Sequence, residues 1–263
     1  MRPYLQAVYN NVPDPQLLEL IRSLGYRGIR ADMQLAPPDI VEGAIRVIQD
    51  SGLECLYIVR LEQMPDFPAG SQVELRNEPD IEGPDAQAYG LEMQMAYNRS
   101  VNHDLRLWVG AVSGPHERGR AYLEIIQPYL NDIPKTVGLT IHRYLDGNVD
   151  EEFSRPHKGF QSREAEVDYI REIAGPGRRW GISEFGSHTA PRTSGWWIFK
   201  REARWTDEQV GALAVREWDF WEINGASFVV QYQITDGPSN HRLDRYGIMR
   251  LDGTIKPSGY SLK

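Results

Sequence analysis

The chain of 263 residues has a single cysteine, Cys55, so no disulfide can form within it. That composition suits a reducing compartment, and Cys55, inside the apolar run LECLYIV, reads as a small buried hydrophobe. No apolar run approaches the roughly 18 residues that a membrane span needs. Basic residues are in the minority, at 29 Lys and Arg against 37 Asp and Glu, and no basic tail is present. The net charge of −8 argues against nucleic acid or an anionic membrane as partner. No phosphate-binding GxGxxG or GxxxxGK[ST] occurs, and the six histidines show neither HxH nor HExxH spacing. The N-terminus MRPYLQAVYN lacks a basic stretch followed by an apolar core, so no signal peptide is visible. A cytoplasmic protein, or a secreted one whose leader has been removed, fits that reading.

What is present is ordinary globular material, 41% hydrophobic and 25% charged, enough for a large core. Short apolar runs alternate with amphipathic segments throughout. Strands are predicted over 4–9, 26–32, 53–60, 72–78, 105–112, 136–144, 179–186 and 226–233. Helices are predicted over 13–25, 38–52, 85–102, 119–130, 162–175 and 206–225, several ending at Gly, with Pro128 to be tolerated or to break its helix. The tail, 246–260, reads as a short hairpin around Asp252-Gly253 leading into a docking segment. Eight β-α units with short connections imply parallel strands and right-handed crossovers. The expected fold is a (β/α)8 TIM barrel, one catalytic domain over 1–263, expected to be a monomer; an open doubly wound sheet is the alternative.

In such a barrel the chemistry sits at the C-terminal ends of the strands. Most of these ends carry polar or aromatic residues, and two carry glutamates: Glu78 on the fourth strand and Glu184 on the seventh. Those strands face each other across an eight-stranded barrel. Two facing carboxylates, one protonated and one ionised, are what glycoside hydrolysis requires.

Asn77-Glu78-Pro79, together with Ser183-Glu184-Phe185-Gly186, resembles the clan A glycoside hydrolases, retaining β-glycosidases built on a (β/α)8 barrel. The resemblance runs from about residue 4 to 236. It implies Glu78 as acid/base, Glu184 as nucleophile and a carbohydrate substrate; no cofactor and no metal are expected. It also implies Arg30 holding the nucleophile ionised, Asn77 on the sugar 2-hydroxyl, Tyr144 on Glu184, and His142 orienting Glu78 or touching sugar. The clan usually has a Trp near the end of the eighth strand. Here Tyr232 stands there, with Trp196, Trp197 and Trp205 in the loop after strand 7 as other candidates for a sugar platform. Trp218 and Trp221 read as core. Arg60, Arg76 and Arg143, beside strand ends, leave open either structural ion pairs or contacts to an anionic sugar. The expected activity is double displacement on an oligo- or polysaccharide, in chain-internal fashion. A catalytically silent carbohydrate-binding barrel is the competing reading, and a metal-dependent hydrolase using His142, His188, Asp236 and His241 is a third.

Overall fold

The structure is a computed structural model, and it describes residues 2–144, 156, 159–186, 192–194, 201–203, 206–236 and 247–260. Eight parallel strands close into a barrel: β1 (Tyr4–Tyr9), β2 (Gly28–Asp32), β3 (Glu54–Val59), β4 (Gln72–Leu75), β5 (Arg106–Val112), β6 (Gly138–Tyr144), β7 (Trp180–Gly186) and β10 (Val229–Gln231). Between β7 and β10 an antiparallel pair, β8 (Arg192–Ser194) and β9 (Arg201–Ala203), lies outside the barrel; the sequence reading had this stretch as loop.

The outer layer holds α1 (Pro15–Ser23), α2 (Pro38–Ser51), α3 (Ala86–Asn102), α4 (Glu117–Asp132), α5 (Arg163–Ala174) and α6 (Asp207–Ile223). Their starts are written in the sequence. The side chains of Asp14, Asp85, Ser162 and Thr206 each accept a hydrogen bond from a first-turn amide, which satisfies a donor the helix cannot. Gly52, at φ 71°, ends α2 in the left-handed conformation. Helix α4 runs through Pro128 without ending there. Between β3 and β4 the crossover holds only a 3-10 turn, Leu61–Asp66, interrupted by Pro65. The predicted tail hairpin is a bridge between Met249 and Ile255, followed by the short α7 (Pro257–Tyr260). Among the described residues no helix is long and apolar enough to cross a membrane.

Two apolar clusters result. The larger lies between strands and helices and includes Trp221, fully buried, with Trp218 and Cys55 partly buried against it. The smaller, Tyr4, Leu56, Trp108, Phe228 and Val230, plugs the barrel. Trp108 meets Phe228 edge-on at 4.7 Å. The plug needs room on the adjoining strand, where Gly138 lies in register with Trp108. A Cβ on Gly138 would collide with the Trp108 ring, so glycine stands where close approach demands it. Above the plug the inward positions turn polar: Gln6, Arg30, Glu74, His142 and Glu184 are all buried. That layer is the floor of the site.

Candidate active site

The fourth strand ends earlier than its residue pattern suggests. β4 stops at Leu75, not Glu78, because Arg76 and Glu78 adopt left-handed backbone, at φ 62° and 42°. Neither is a glycine, so both conformations are costly and must be held by their surroundings. The Arg76 amide donates to Val59 O at 2.9 Å, and the Glu78 amide donates to Ala111 O at 3.0 Å. The twist turns Arg76 outward, where its Nε donates to Glu92 of α3 at 2.7 Å, while Asn77 and Glu78 take their places at the site.

Arg30 organises the floor. Its side chain is fully buried, and burying a guanidinium is favourable only when every donor is answered. Nε donates to Glu74 Oε2 at 2.7 Å, Nη1 to Gln6 Oε1 at 3.1 Å and also to Glu184 Oε1, and Nη2 to Asn77 Oδ1 at 2.8 Å. Holding Asn77 by its oxygen leaves the amide nitrogen, a donor, to face a ligand. Arg30 thus supports the site from behind.

Glu184 receives a second bond on its other oxygen, from the Tyr144 hydroxyl. Burial, then the charge of Glu184, pushes the Tyr144 hydroxyl well above its ordinary range, so it stays a donor. Tyr232, just past β10, meets the Tyr144 ring edge-on at 5.7 Å; burial and then Glu184 push its hydroxyl up to about 12. Tyr232 therefore stands at the end of the last barrel strand beside the nucleophile candidate. Trp196, Trp197 and Trp205 lie outside the described residues.

Glu78 and Glu184 differ in environment. The Glu78 side chain is 25% exposed and Glu184 is 7% exposed. Between them stands fully buried His142, with Nδ1 3.1 Å from Glu78 Oε1 and 3.5 Å from Glu184 Oε2. Burial acts to raise the Glu78 carboxyl, but the hydrogen bond and charge of His142 outweigh it and hold the group below its ordinary value. Burial acts to lower His142; the Glu184 charge and the Glu78 hydrogen bond outweigh that and hold it above its ordinary value. Both directions have one cause in common, the hydrogen bond and attraction between the imidazole and the Glu78 carboxylate.

One oxygen of Glu78, one of Glu184 and a nitrogen of His142 lie within 4.8 Å of one another, a spacing that could hold a cation. The chemistry of the surrounding donors fits poorly. The Arg30 guanidinium already bonds Glu184, and its Nη2 lies 3.4 Å from His142 Nε2, so a metal ion would face a buried positive charge. Asp236, named in the metal reading, accepts from Lys256 Nζ at 2.7 Å and from the Gly247 amide at 3.0 Å, while His188 and His241 lie outside the described residues.

Of the cations flagged as possible anionic-sugar contacts, two are committed elsewhere. Arg76 pairs with Glu92, and Arg143 points outward to Glu166 of α5 at 2.8 Å, as strand alternation requires of the neighbour of inward His142. Arg60 lines a cavity of about 170 Å³ with Asp32, Gln34, Asn77 and Glu82. Sequence reasoning missed Gln6 and the reach of Glu74. Their signal was polar residues at inward positions of otherwise apolar strands.

The sequence matches no protein-family model and no curated protein. Solved structures do match across the whole chain. One is a GH128 (subgroup II) endo-β-1,3-glucanase from Sorangium cellulosum, at 12% identity and TM-score 0.65, over 100% of this chain and 97% of that one. Another is a thermostable mutant of the xylanase Xyn10A from Cellvibrio japonicus, at 11% identity and TM-score 0.63, over 99% and 96%. A third is Thermotoga maritima Cel5A in complex with cellobiose, at 14% identity and TM-score 0.60, over 98% and 98%. All three are clan A barrel glycosidases, and at these identities the shared property is the fold.

Proposed function

We propose that this chain is a retaining β-glycosidase, with Glu184 as nucleophile and Glu78 as acid/base. The observation that carries this reading is the approach of the two carboxylates, an oxygen of each within 4.8 Å, in opposed environments. Retaining enzymes hold their carboxyl groups about 5–5.5 Å apart, and inverting ones about 6.5–9.5 Å, to admit a water. The spacing here supports direct attack.

Arg30 and Tyr144 hold Glu184 aimed, each bonding its own oxygen. In the first step a Glu184 oxygen bonds the anomeric carbon. The bond to the leaving oxygen breaks, and that oxygen takes the proton held between His142 and Glu78. A sugar covering Glu78 strips water from it, which favours its protonated form and draws the shared proton across. In the second step Glu184 is a neutral ester and Glu78, its proton given to the leaving group, is a carboxylate. Glu78 then takes a proton from water, the water oxygen bonds the anomeric carbon, and Glu184 leaves as carboxylate. Asn77 directs its amide nitrogen to the sugar beside the reacting carbon, and Tyr232 offers that sugar an aromatic edge.

The proposed substrate is a neutral β-linked glycan. With Arg76 and Arg143 paired elsewhere, the Arg60 cavity brings a guanidinium together with the Asp32 and Glu82 carboxylates, a mixture of donors and acceptors suited to hydroxyl groups. The proteins with this fold carry names that speak of β-1,3-glucan, xylan and cellobiose, in keeping with that class. Short connections after β1, β2, β4 and β5 support an open cleft and attack within a chain. We further propose that the barrel is one catalytic domain. Hydrolysis across a panel of aryl β-glycosides and β-glucan, xylan and mannan tests the proposal, with Glu78→Gln and Glu184→Gln as controls. Equal inertness of all three proteins would leave a carbohydrate-binding barrel in its place.

A further inference from the structure

Arg30 faces two carboxylates, and they are not equivalent. Glu184 lies at the base of the cleft and, under the function proposed above, loses its charge each time it bonds a sugar. Glu74 is fully buried, in register with Trp108 of the plug and out of reach of any substrate. A single Glu74 oxygen, Oε2, meets Arg30 Nε at 2.7 Å and Nη2 at 2.5 Å. Among the described residues its other oxygen accepts no hydrogen bond, so Glu74 has little reason to be a buried carboxylate except the charge of Arg30.

We propose that Glu74 is the standing counterion of Arg30, a positioning residue that keeps the guanidinium neutralised while the charge on Glu184 comes and goes. In the free enzyme Arg30 sits between two anions. In the glycosyl-enzyme Glu184 is an ester, and Glu74 is then, among the described residues, the one carboxylate in direct contact with a fully buried cation, with Asp32 acting only at longer range. Without it that intermediate would hold an uncompensated charge in low dielectric. Arg30 would then cling to Glu184 before the reaction and favour its return to carboxylate afterwards. The same counterion keeps Arg30 seated on Gln6 and Asn77 through both steps.

The kinetic part of this inference rests on the glycosidase reading; the electrostatic part does not, and the two are tested separately. In urea unfolding of the whole chain, Glu184→Gln alone should change the unfolding constant by less than about tenfold, because Glu74 still serves Arg30. Glu74→Gln combined with Glu184→Gln should exceed the product of the single effects by about tenfold or more. A double variant equal to that product would overturn the proposal. If Glu74→Gln does not fold, Glu184→Gln alone decides: a loss far beyond tenfold shows Glu184 to be the principal counterion and sinks the idea. With a rapidly cleaved aryl glycoside, Glu74→Gln should slow formation of the covalent intermediate about tenfold or more without slowing its breakdown, so the burst shrinks. Glu74→Asp, which keeps the charge, should restore the burst. Equal slowing of both steps by Glu74→Gln would mark a merely structural residue. If the wild type cleaves no glycoside, the glycosidase reading fails while the unfolding comparison still judges the counterion.

Discussion

Nδ1 of His142 lies 3.1 Å from Oε1 of Glu78, inside the barrel and cut off from water on the imidazole side. The pair holds His142 above its ordinary value and Glu78 below. A raised histidine is protonated below its folded pKa and loses the proton as pH rises through it. The proton needed by the leaving group should therefore persist past about pH 6.5, the unperturbed histidine value. The basic limb of the kcat/KM profile is expected above that pH. His142→Gln removes the main partner that lowers Glu78, leaving burial with the smaller effects of Asp80 and Arg30, and the limb should move to lower pH by about one unit or more, into the range of a buried carboxyl. An unmoved limb in His142→Gln would show that the pair does not share the catalytic proton.

Removing either carboxylate should have a distinct signature. Glu184→Ala is expected to lose nearly all turnover. Glu78→Ala should still form the intermediate from a substrate with an activated leaving group, and azide should then restore turnover and give a glycosyl azide of retained configuration. An azide product of inverted configuration would exchange the two roles or dismiss them.

Tyr144→Phe keeps the ring that packs against Tyr232 but removes the donor to Glu184. A hydrogen bond to a charged group contributes about 1.5–3 kcal/mol, so kcat/KM should fall about tenfold to 150-fold, with unfolding by urea little changed. An unaffected rate would place Tyr144 outside the machinery.

The plug makes a prediction about stability alone. Gly138→Ala drives a methyl into the Trp108 ring and should cost about 1–3 kcal/mol in urea unfolding, far from the carboxylates. A neutral result would mean that the Trp108–Phe228 contact repacks freely.

Much of this architecture is legible in the residues. Each barrel strand is a short apolar run bounded by Gly, Pro or a helix cap, and strand order follows from β-α alternation. The convergence of Arg30, Asn77, Glu78, His142, Tyr144 and Glu184 follows once the strand ends are known, because a parallel barrel gathers those ends on one face. The less legible features depend on contacts distant in sequence. The early end of β4 is set by bonds from Arg76 and Glu78 to Val59 and Ala111, which put two non-glycine residues in left-handed backbone. The partner of Arg76 sits on α3, and that of Arg143 on α5. The β8–β9 pair has too short a pattern to declare itself, at three residues a side. Glu74 stands out only as an acid in a strand interior until the Arg30 guanidinium beside it is known.

The central claim, direct attack of Glu184 on a sugar, is tested most directly by the stereochemistry of the first product. Proton NMR of an active β-glycoside digest, followed from mixing, reads the anomer before mutarotation. The close carboxylates predict the β-anomer first, with the α-anomer growing in later. Initial appearance of the α-anomer would contradict the account, because it requires water rather than Glu184 to attack the anomeric carbon.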